Sequence, residues 1–240
     1  MRTIAILQAR MSSSRFPGKV IADLDNLPMV AFMTARVAQC DAIDGVILAT
    51  SDLDSDTPLV DAARTHGIEV FRGALEDVLG RFVQAQACVK ADVIIRITGD
   101  CPLADPDVLG DLIALRAREE ADYASNIEPR SYPQGLDCEI FTAETLARAQ
   151  ANARDAYDRE HVTPWMRSKA AHLKRANLQR VPDLSDMRLT VDYPEDLEVV
   201  RRVVAGTHRN ARLEEIAAWL TRHPQIAHLN AQHRKCSRNV

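Results

Sequence analysis

The sequence predicts an α/β fold, a parallel β-sheet covered by helices on both faces, and three observations predict it. Short apolar runs such as Ile4-Ala5-Ile6-Leu7 and Val93-Ile94-Ile95 alternate with amphipathic stretches of helix length. That alternation is the signature of βα units wound onto one sheet. Helix starts are marked by a capping residue followed by proline, at Thr57-Pro58 and Asp105-Pro106. The segments rich in polar and turn-forming residues fall after the strands, where such sheets carry their ligand sites.

Ile4 to Ala9 is the first strand. Met29, Val30, Phe32, Met33 and Val37 then recur at helical spacing. Gly45 to Thr50 is the second strand, and Thr57 caps a helix running to about His66. Ile68 to Phe71 is the third strand. Leu75, Val78, Leu79 and Phe82 fall at i, i+3, i+4 and i+7, so the next helix has one apolar face. Arg81 is expected on its polar side, in solvent. Val93 to Ile97 is the fourth strand, and Asp105 caps a helix carrying Val108, Leu109, Leu112 and Ile113.

The second half is less regular. Asp122 to Asn126 is a short strand, followed by a loop with Pro129, Pro133 and Gly135. Leu136 to Phe141 predicts a strand with Asp137 and Glu139 on one face. Helices follow from about Ala143 to Ala151 and from about Ala156. Leu189 to Asp192 predicts another strand and Pro194 a capped helix start, with Glu195 and Asp196 as ordinary acids of its first turn. Asn210 to Arg222 is a last amphipathic helix. From Pro224 the pattern dissolves into a polar tail expected to be mobile. The expected organisation is one domain over 1–223 and a tail over 224–240.

Composition narrows the function classes. The 240 residues are 46% hydrophobic and 27% charged, enough for one large core. A net charge of −4 without a basic cluster argues against a nucleic-acid partner. No apolar run approaches the roughly 20 residues of a membrane span, and no signal peptide is apparent. A cytoplasmic protein is expected. Cys40, Cys88, Cys101, Cys138 and Cys236 lack metal or disulfide spacing. His223, His228, His233 and Cys236 are spaced too irregularly for a zinc site.

The most informative segment is Ala9-Arg-Met-Ser-Ser-Ser-Arg-Phe-Pro-Gly-Lys19. Arg10, Arg15 and Lys19 sit among small hydroxyl residues directly after a strand. Guanidinium forks, an ammonium and backbone N–H groups together suit a polyphosphate. Pro17 blocks a helix and Gly18 permits a tight bend. The segment is not a P-loop, because Ser13 stands where the first glycine belongs and Val20 follows Lys19. Thr98-Gly99-Asp100-Cys101-Pro102 follows another strand. There a carboxylate beside a glycine suits either a Mg²⁺ site or a simple turn. Thr50-Ser51-Asp52 and Arg72-Gly73 also follow strands, so four segments are expected along one sheet edge.

The loop over residues 9–19 resembles the signature loop of the cytidylyltransferases that activate acidic sugars, the makers of CMP-Kdo and CMP-sialic acid. It is most similar to the spore coat polysaccharide biosynthesis protein F branch. That branch commonly reads Ala-Arg-Met-Gly-Ser-Thr-Arg-Leu-Pro-Gly-Lys, with glycine where this chain has Ser12. The likeness runs from about Ile4 to about Val204. It implies a three-layer, nucleotidyltransferase-like (nucleotide-diphospho-sugar transferase) fold with a mixed, mostly parallel central sheet. It also implies transfer of CMP from CTP to a small sugar.

In that pattern Arg10, Arg15 and Lys19 would hold the triphosphate. Ala9, Ser12, Ser13, Thr50, Ser51, Arg72, Thr98 and Gly99 would complete the nucleotide site. Asp100, in the Gly-Asp-x-Pro segment, and Asp192, before Pro194-Glu195-Asp196-Leu197, would share Mg²⁺. Gly135, Asp137, Glu139 and His161 would face the sugar. A homodimer is expected through about Ser131 to Pro164, where Tyr132, Tyr157 and Trp165 are interface-type residues. Two other readings stay open. A nucleotide-sugar-dependent glycosyltransferase would usually carry Asp-x-Asp where this chain has Thr98-Gly99-Asp100. A non-catalytic nucleotide-binding relic would have lost its carboxylates, and this chain has both.

Overall fold

The computed structural model describes residues 1–234. Its centre is a seven-stranded sheet. The strands are β1 (Thr3–Gln8), β4 (Gly45–Ser51), β5 (Glu69–Gly73), β6 (Val93–Thr98), β7 (Tyr123–Ser125), β8 (Glu139–Thr142) and β9 (Arg175–Asn177). A two-stranded ribbon, β2 (Asp23–Leu24) with β3 (Leu27–Pro28), stands apart. The spatial order is β5-β4-β1-β6-β8-β7-β9. β5, β4, β1 and β6 run parallel, β8 is antiparallel to both β6 and β7, and β9 is parallel to β7. The sheet is therefore mixed and mostly parallel, as expected.

Two cores sandwich it. In β1, Ala5 and Leu7 enter one core, while Ile4 and Ile6 enter the other. The first core packs α1 (Met29–Val37), α2 (Thr57–Thr65), α4 (Pro106–Arg118), α8 (Pro194–Gly206) and α9 (Leu213–Arg222). The second packs α3 (Val78–Val89), α5 (Ala143–Asn152) and α7 (Pro164–Arg167), with α6 (Ala156–His161) between them in sequence. The period-2 alternation that buries Ile94 against α3 also turns Arg96, two residues on, to that face.

Several expectations need correction. Thr57 lies inside α2. Asp56 holds its cap position but makes no side-chain cap bond, because its carboxylate is engaged elsewhere. The strand expected from Leu136 starts only at Glu139, so Asp137 belongs to the preceding loop and shares no strand face with Glu139. Leu189 to Asp192 is no strand. β8 already occupies the free edge of β6, so this segment lies over the loops instead. Leu189 N donates to Gln134 O (2.7 Å), and Val191 N donates to Asp100 O (2.8 Å).

The chain after Pro224 also keeps a pattern. It forms a helical turn, α10 (Pro224–Ala227), and Asn230 is buried. Cys236 lies outside the described residues. Cys40, Cys88, Cys101 and Cys138 are unpaired thiols. No described helix is long and apolar enough to cross a membrane.

Candidate active site

A cavity of about 430 Å³ opens at the carboxyl ends of β1 and β6. The loop after β1 forms one wall with Ala9, Arg10, Ser12, Ser13, Arg15 and Lys19. The segment Thr98-Gly99-Asp100 forms another, Asp192 closes the rim, and His161 at the end of α6 faces them. Gly99 is required where the two loops meet. A Cβ there would lie 2.7 Å from Ala9 Cβ and 3.2 Å from Gln8 O. A second cavity of about 170 Å³ shares Thr98, Asp100 and Asp192, and is lined further by Arg130, Gln134, Gly135, Asp137 and Arg188. Gly135 (φ +100°) passes so close to Thr190 that a Cβ would lie 2.3 Å from its backbone nitrogen.

Every cation of the first loop is matched to an acid. Arg15 Nη2 lies 2.8 Å from Asp192 Oδ1, and Lys19 Nζ lies 3.1 Å from the same oxygen. Lys19 also donates to Val191 O (2.6 Å). Arg10 faces Glu160 of α6 at 3.6 Å. Burial alone would raise the pKa of Asp192, but Lys19 and Arg15 hold it below the ordinary carboxylate value. The Asp192 carboxylate is thus ionised at neutral pH. Asp100 accepts from the Thr98 hydroxyl through Oδ1. Among the described residues no side chain donates to its Oδ2.

Four predicted site residues do not face the cavity. Thr50 and Ser51 are fully buried, and their hydroxyls donate to Asp56 Oδ2 (2.8 and 2.5 Å). Asp56 in turn accepts from Met11 N (2.7 Å), so both act on the loop only through that carboxylate. Burial would raise the pKa of Asp56, yet the bonds from Ser51, Met11 and Thr50 lower it. Arg72 turns away to cap the carbonyls of Ser51 (3.0 Å) and Leu53 (2.7 Å). Glu139 is buried beneath the site. It accepts from Arg96 and from Tyr123 OH (2.6 Å), and lines neither cavity. Arg96, whose Nε donates to Gln8 Oε1 (3.1 Å), separates it from the cavity. Two physical reasons apply. Arg72 and Glu139 bond neighbours that strand pairing brings beside them, and sequence does not display register, while Thr50 and Ser51 are claimed by the buried carboxylate of Asp56 in the turn that follows β4.

Three charged residues were missed or misjudged. Arg81 is 1% exposed, not solvated, and lines the main cavity. Burial pushes its pKa down to about 10, so it stays charged. Nη1 donates to Ala74 O (2.8 Å), while Nε is buried without a partner. Its place three residues after Val78 was the available signal. Arg96 betrays itself as a charge inside the run Ile94-Ile95-Arg96-Ile97. Asp196 gave no signal: a fully buried hub, it accepts from Arg188 Nε and Nη2 (both 2.8 Å) and from the backbone N–H of Asp192 and Tyr193 (2.9 and 3.0 Å). Cys101 is buried and its thiol pKa is pushed well up by that burial, which suits a packing role and not a nucleophile.

The donor set can be tested against a divalent cation. Asp100 and Asp192 line the same two cavities and offer hard oxygens, the ligands Mg²⁺ prefers. Among the described residues no three His, Cys, Asp or Glu side chains converge to enclose an ion. Two carboxylates with open space beside them fit Mg²⁺, which usually keeps waters and substrate oxygens among its ligands. They do not fit a closed structural metal site.

A family model described as Cytidylyltransferase matches residues 4–223. Spore coat polysaccharide biosynthesis protein SpsF of Bacillus subtilis (strain 168) is 35% identical, over 92% of this chain and 95% of that protein. The structure of a cytidylyltransferase from Leptospira borgpetersenii serovar Hardjo-bovis superposes with a TM-score of 0.90 at 28% identity, covering 95% of this chain and 97% of that one. A CMP:2-keto-3-deoxy-manno-octonic acid synthetase, solved in complex with CTP, shares the fold. Its TM-score is 0.67 at 19% identity, with 85% and 99% of the two chains covered.

Proposed function

The chain belongs to the cytidylyltransferase family, and on that premise we propose that it transfers CMP from CTP to a sugar, an acidic 2-keto sugar, with release of pyrophosphate. Surface polysaccharide or glycan synthesis is the setting this reading suggests. One observation carries it: three loop cations and two carboxylates, from three distant segments, converge on one cavity at the carboxyl edge of the sheet. In this reading Arg10, Arg15 and Lys19 leave their acid partners for the triphosphate. Arg81 and Arg96 add positive charge at the cavity wall. The sugar enters from the side of the smaller cavity, near Gly135 and Asp137, while His161 borders the main one.

The reaction forms a bond from a sugar oxygen to the α-phosphorus and breaks the bond to the leaving pyrophosphate. The hydroxyl proton passes to solvent. Held by Asp100 and Asp192, Mg²⁺ would supply charge on the phosphate oxygens and ease that proton's loss. The protein's own share is position and charge. The loop cations fix the triphosphate and offset the negative charge that builds on the leaving group. The test is incubation with each of the four nucleoside triphosphates, Mg²⁺ and a panel of sugars, with pyrophosphate as the readout. Release only with CTP and an acidic 2-keto sugar is expected. No release with any pair would overturn the reading.

A further inference from the structure

The described residues after the family match, 224–234, lie on the underside of the Asp192 segment. Residues 224–234 fold back against α8 and α9, with Ile226 and Ala227 packed on the first core. Asn230 is 1% exposed. Its Nδ2 donates to Asp196 Oδ1 (2.9 Å) and to Arg188 O (3.2 Å). His233 stacks on the Tyr193 ring, with centroids 3.8 Å apart and planes 8° apart, and its Nε2 lies 3.5 Å from Glu195. The segment thus touches residues 188, 193, 195 and 196, on both sides of Asp192, without touching Asp192 itself.

We propose that residues 224–234 are a strap that positions the Asp192 carboxylate, with Asn230 and His233 as its positioning residues. This rests on the reading of Asp192 as half of a divalent-cation site. The route is short. Asp196 Oδ2 accepts from the backbone N–H of Asp192 (2.9 Å), and Arg188 Nη2 lies 3.4 Å from Asp192 Oδ2. Asp196 and Arg188 therefore set both the backbone and the side chain of residue 192. Asn230 is bonded to both of them. With Asn230 gone, Asp196 Oδ1 keeps only Arg188, and the carboxylate is freer to turn. With His233 gone, Tyr193 loses its stacking partner, and Arg15, 5.3 Å from the Tyr193 centroid, loses a fixed surface beneath it. Removing a direct partner of a metal ligand, the place Asp196 and Arg188 hold, commonly changes metal affinity by roughly 10–100-fold, and Asn230 and His233, one contact further out, fall at the lower end of that range.

The test uses the full chain with Asn230→Ala and His233→Ala. Mn²⁺ binding to the protein–CTP complex is followed by electron paramagnetic resonance, beside the thermal midpoint, KM for CTP and the Mg²⁺ dependence of pyrophosphate release. The expected result is Mn²⁺ affinity about tenfold weaker in each variant, with KM for CTP at saturating metal nearly unchanged in Asn230→Ala. A merely structural strap would lower the thermal midpoint and leave Mn²⁺ affinity at the wild-type value, and that result overturns the proposal. His233 is only half-buried, so His233→Ala carries the test if Asn230→Ala does not fold. Wild-type protein that binds Mn²⁺ with CTP but releases no pyrophosphate would fault the transfer reading alone. Wild-type protein that binds no Mn²⁺ would sink the strap as well.

Discussion

Asp192 and Asp196 stand four residues apart and differ in what surrounds them. Asp192 is the counter-ion of Arg15 and Lys19. Asp192→Asn should therefore free two cations and tighten binding of CTP in the absence of divalent metal, as read by calorimetry in chelator. The same change should cost several kcal/mol of transition-state stabilisation, a loss of roughly 10²–10³ in turnover. Weaker metal-free binding would contradict the pairing role. Asp196 was expected to be an ordinary acid of the helix's first turn, its loss costing about 0.3–1 kcal/mol. It is instead the buried partner of Arg188. Asp196→Asn should cost roughly 3 kcal/mol of stability in urea unfolding, because it leaves a buried guanidinium with only the more distant Asp192, 3.4 Å away, as its charge partner. The residue types of the site could be read from the sequence. Which of two neighbouring acids was buried could not, since Arg188 and Asp196 meet only after the segment between them has folded back.

At the scale of elements, caps were legible and edges were not. Asp105 was read as the cap of α4, and its Oδ1 accepts from Asp107 N (2.8 Å) and Val108 N (3.5 Å). Its other oxygen accepts from Leu213 N (2.5 Å), so one carboxylate holds the starts of α4 and α9 together. Asp105→Ala should then cost more than a single cap, about 2 kcal/mol or above, measured by urea denaturation. A loss near 0.5 kcal/mol would mean that the second contact contributes nothing. The segment from Leu189 to Asp192 looks like a strand because apolar and branched residues alternate there. Whether such a segment joins a sheet depends on a free edge, and β8 has taken it. α6 is a rim element, tied to α3 by Arg159 with Asp77 and to the loop by Glu160 with Arg10. Its contacts are surface ion pairs that no periodicity foretells.

For the whole molecule, acid sensitivity follows from four carboxylates. Asp56, Glu139, Asp192 and Asp196 are each raised by burial and more than offset by their partners, so their folded pKa values lie below the unfolded ones. Groups shifted down contribute stability above the unfolded value and lose it as pH falls through the folded value. Circular dichroism should show a stable plateau down to about pH 4 and cooperative loss below it. Unfolding that begins at pH 6 would contradict this. Assembly is a separate matter. Of the aromatic residues expected at a homodimer contact, Tyr132 is buried within the chain and Trp165 packs on the second core, leaving Tyr157 exposed. Light scattering at twice the 26.7 kDa chain mass would support the dimer expected from the family likeness, and a single mass would remove it. By itself the sequence determined the layered α/β architecture, the loop over residues 9–19 and Asp100 at its strand end. These depend on local period, capping and residue type, which neighbours in the chain already display. Only the tertiary structure decided that Thr50, Ser51, Arg72 and Glu139 turn from the cavity, that Arg81 lines it, and that Asn230 reaches Asp196. Those outcomes depend on register, burial and contacts between residues far apart in the chain, and they exist only once the sheet and its two cores have closed.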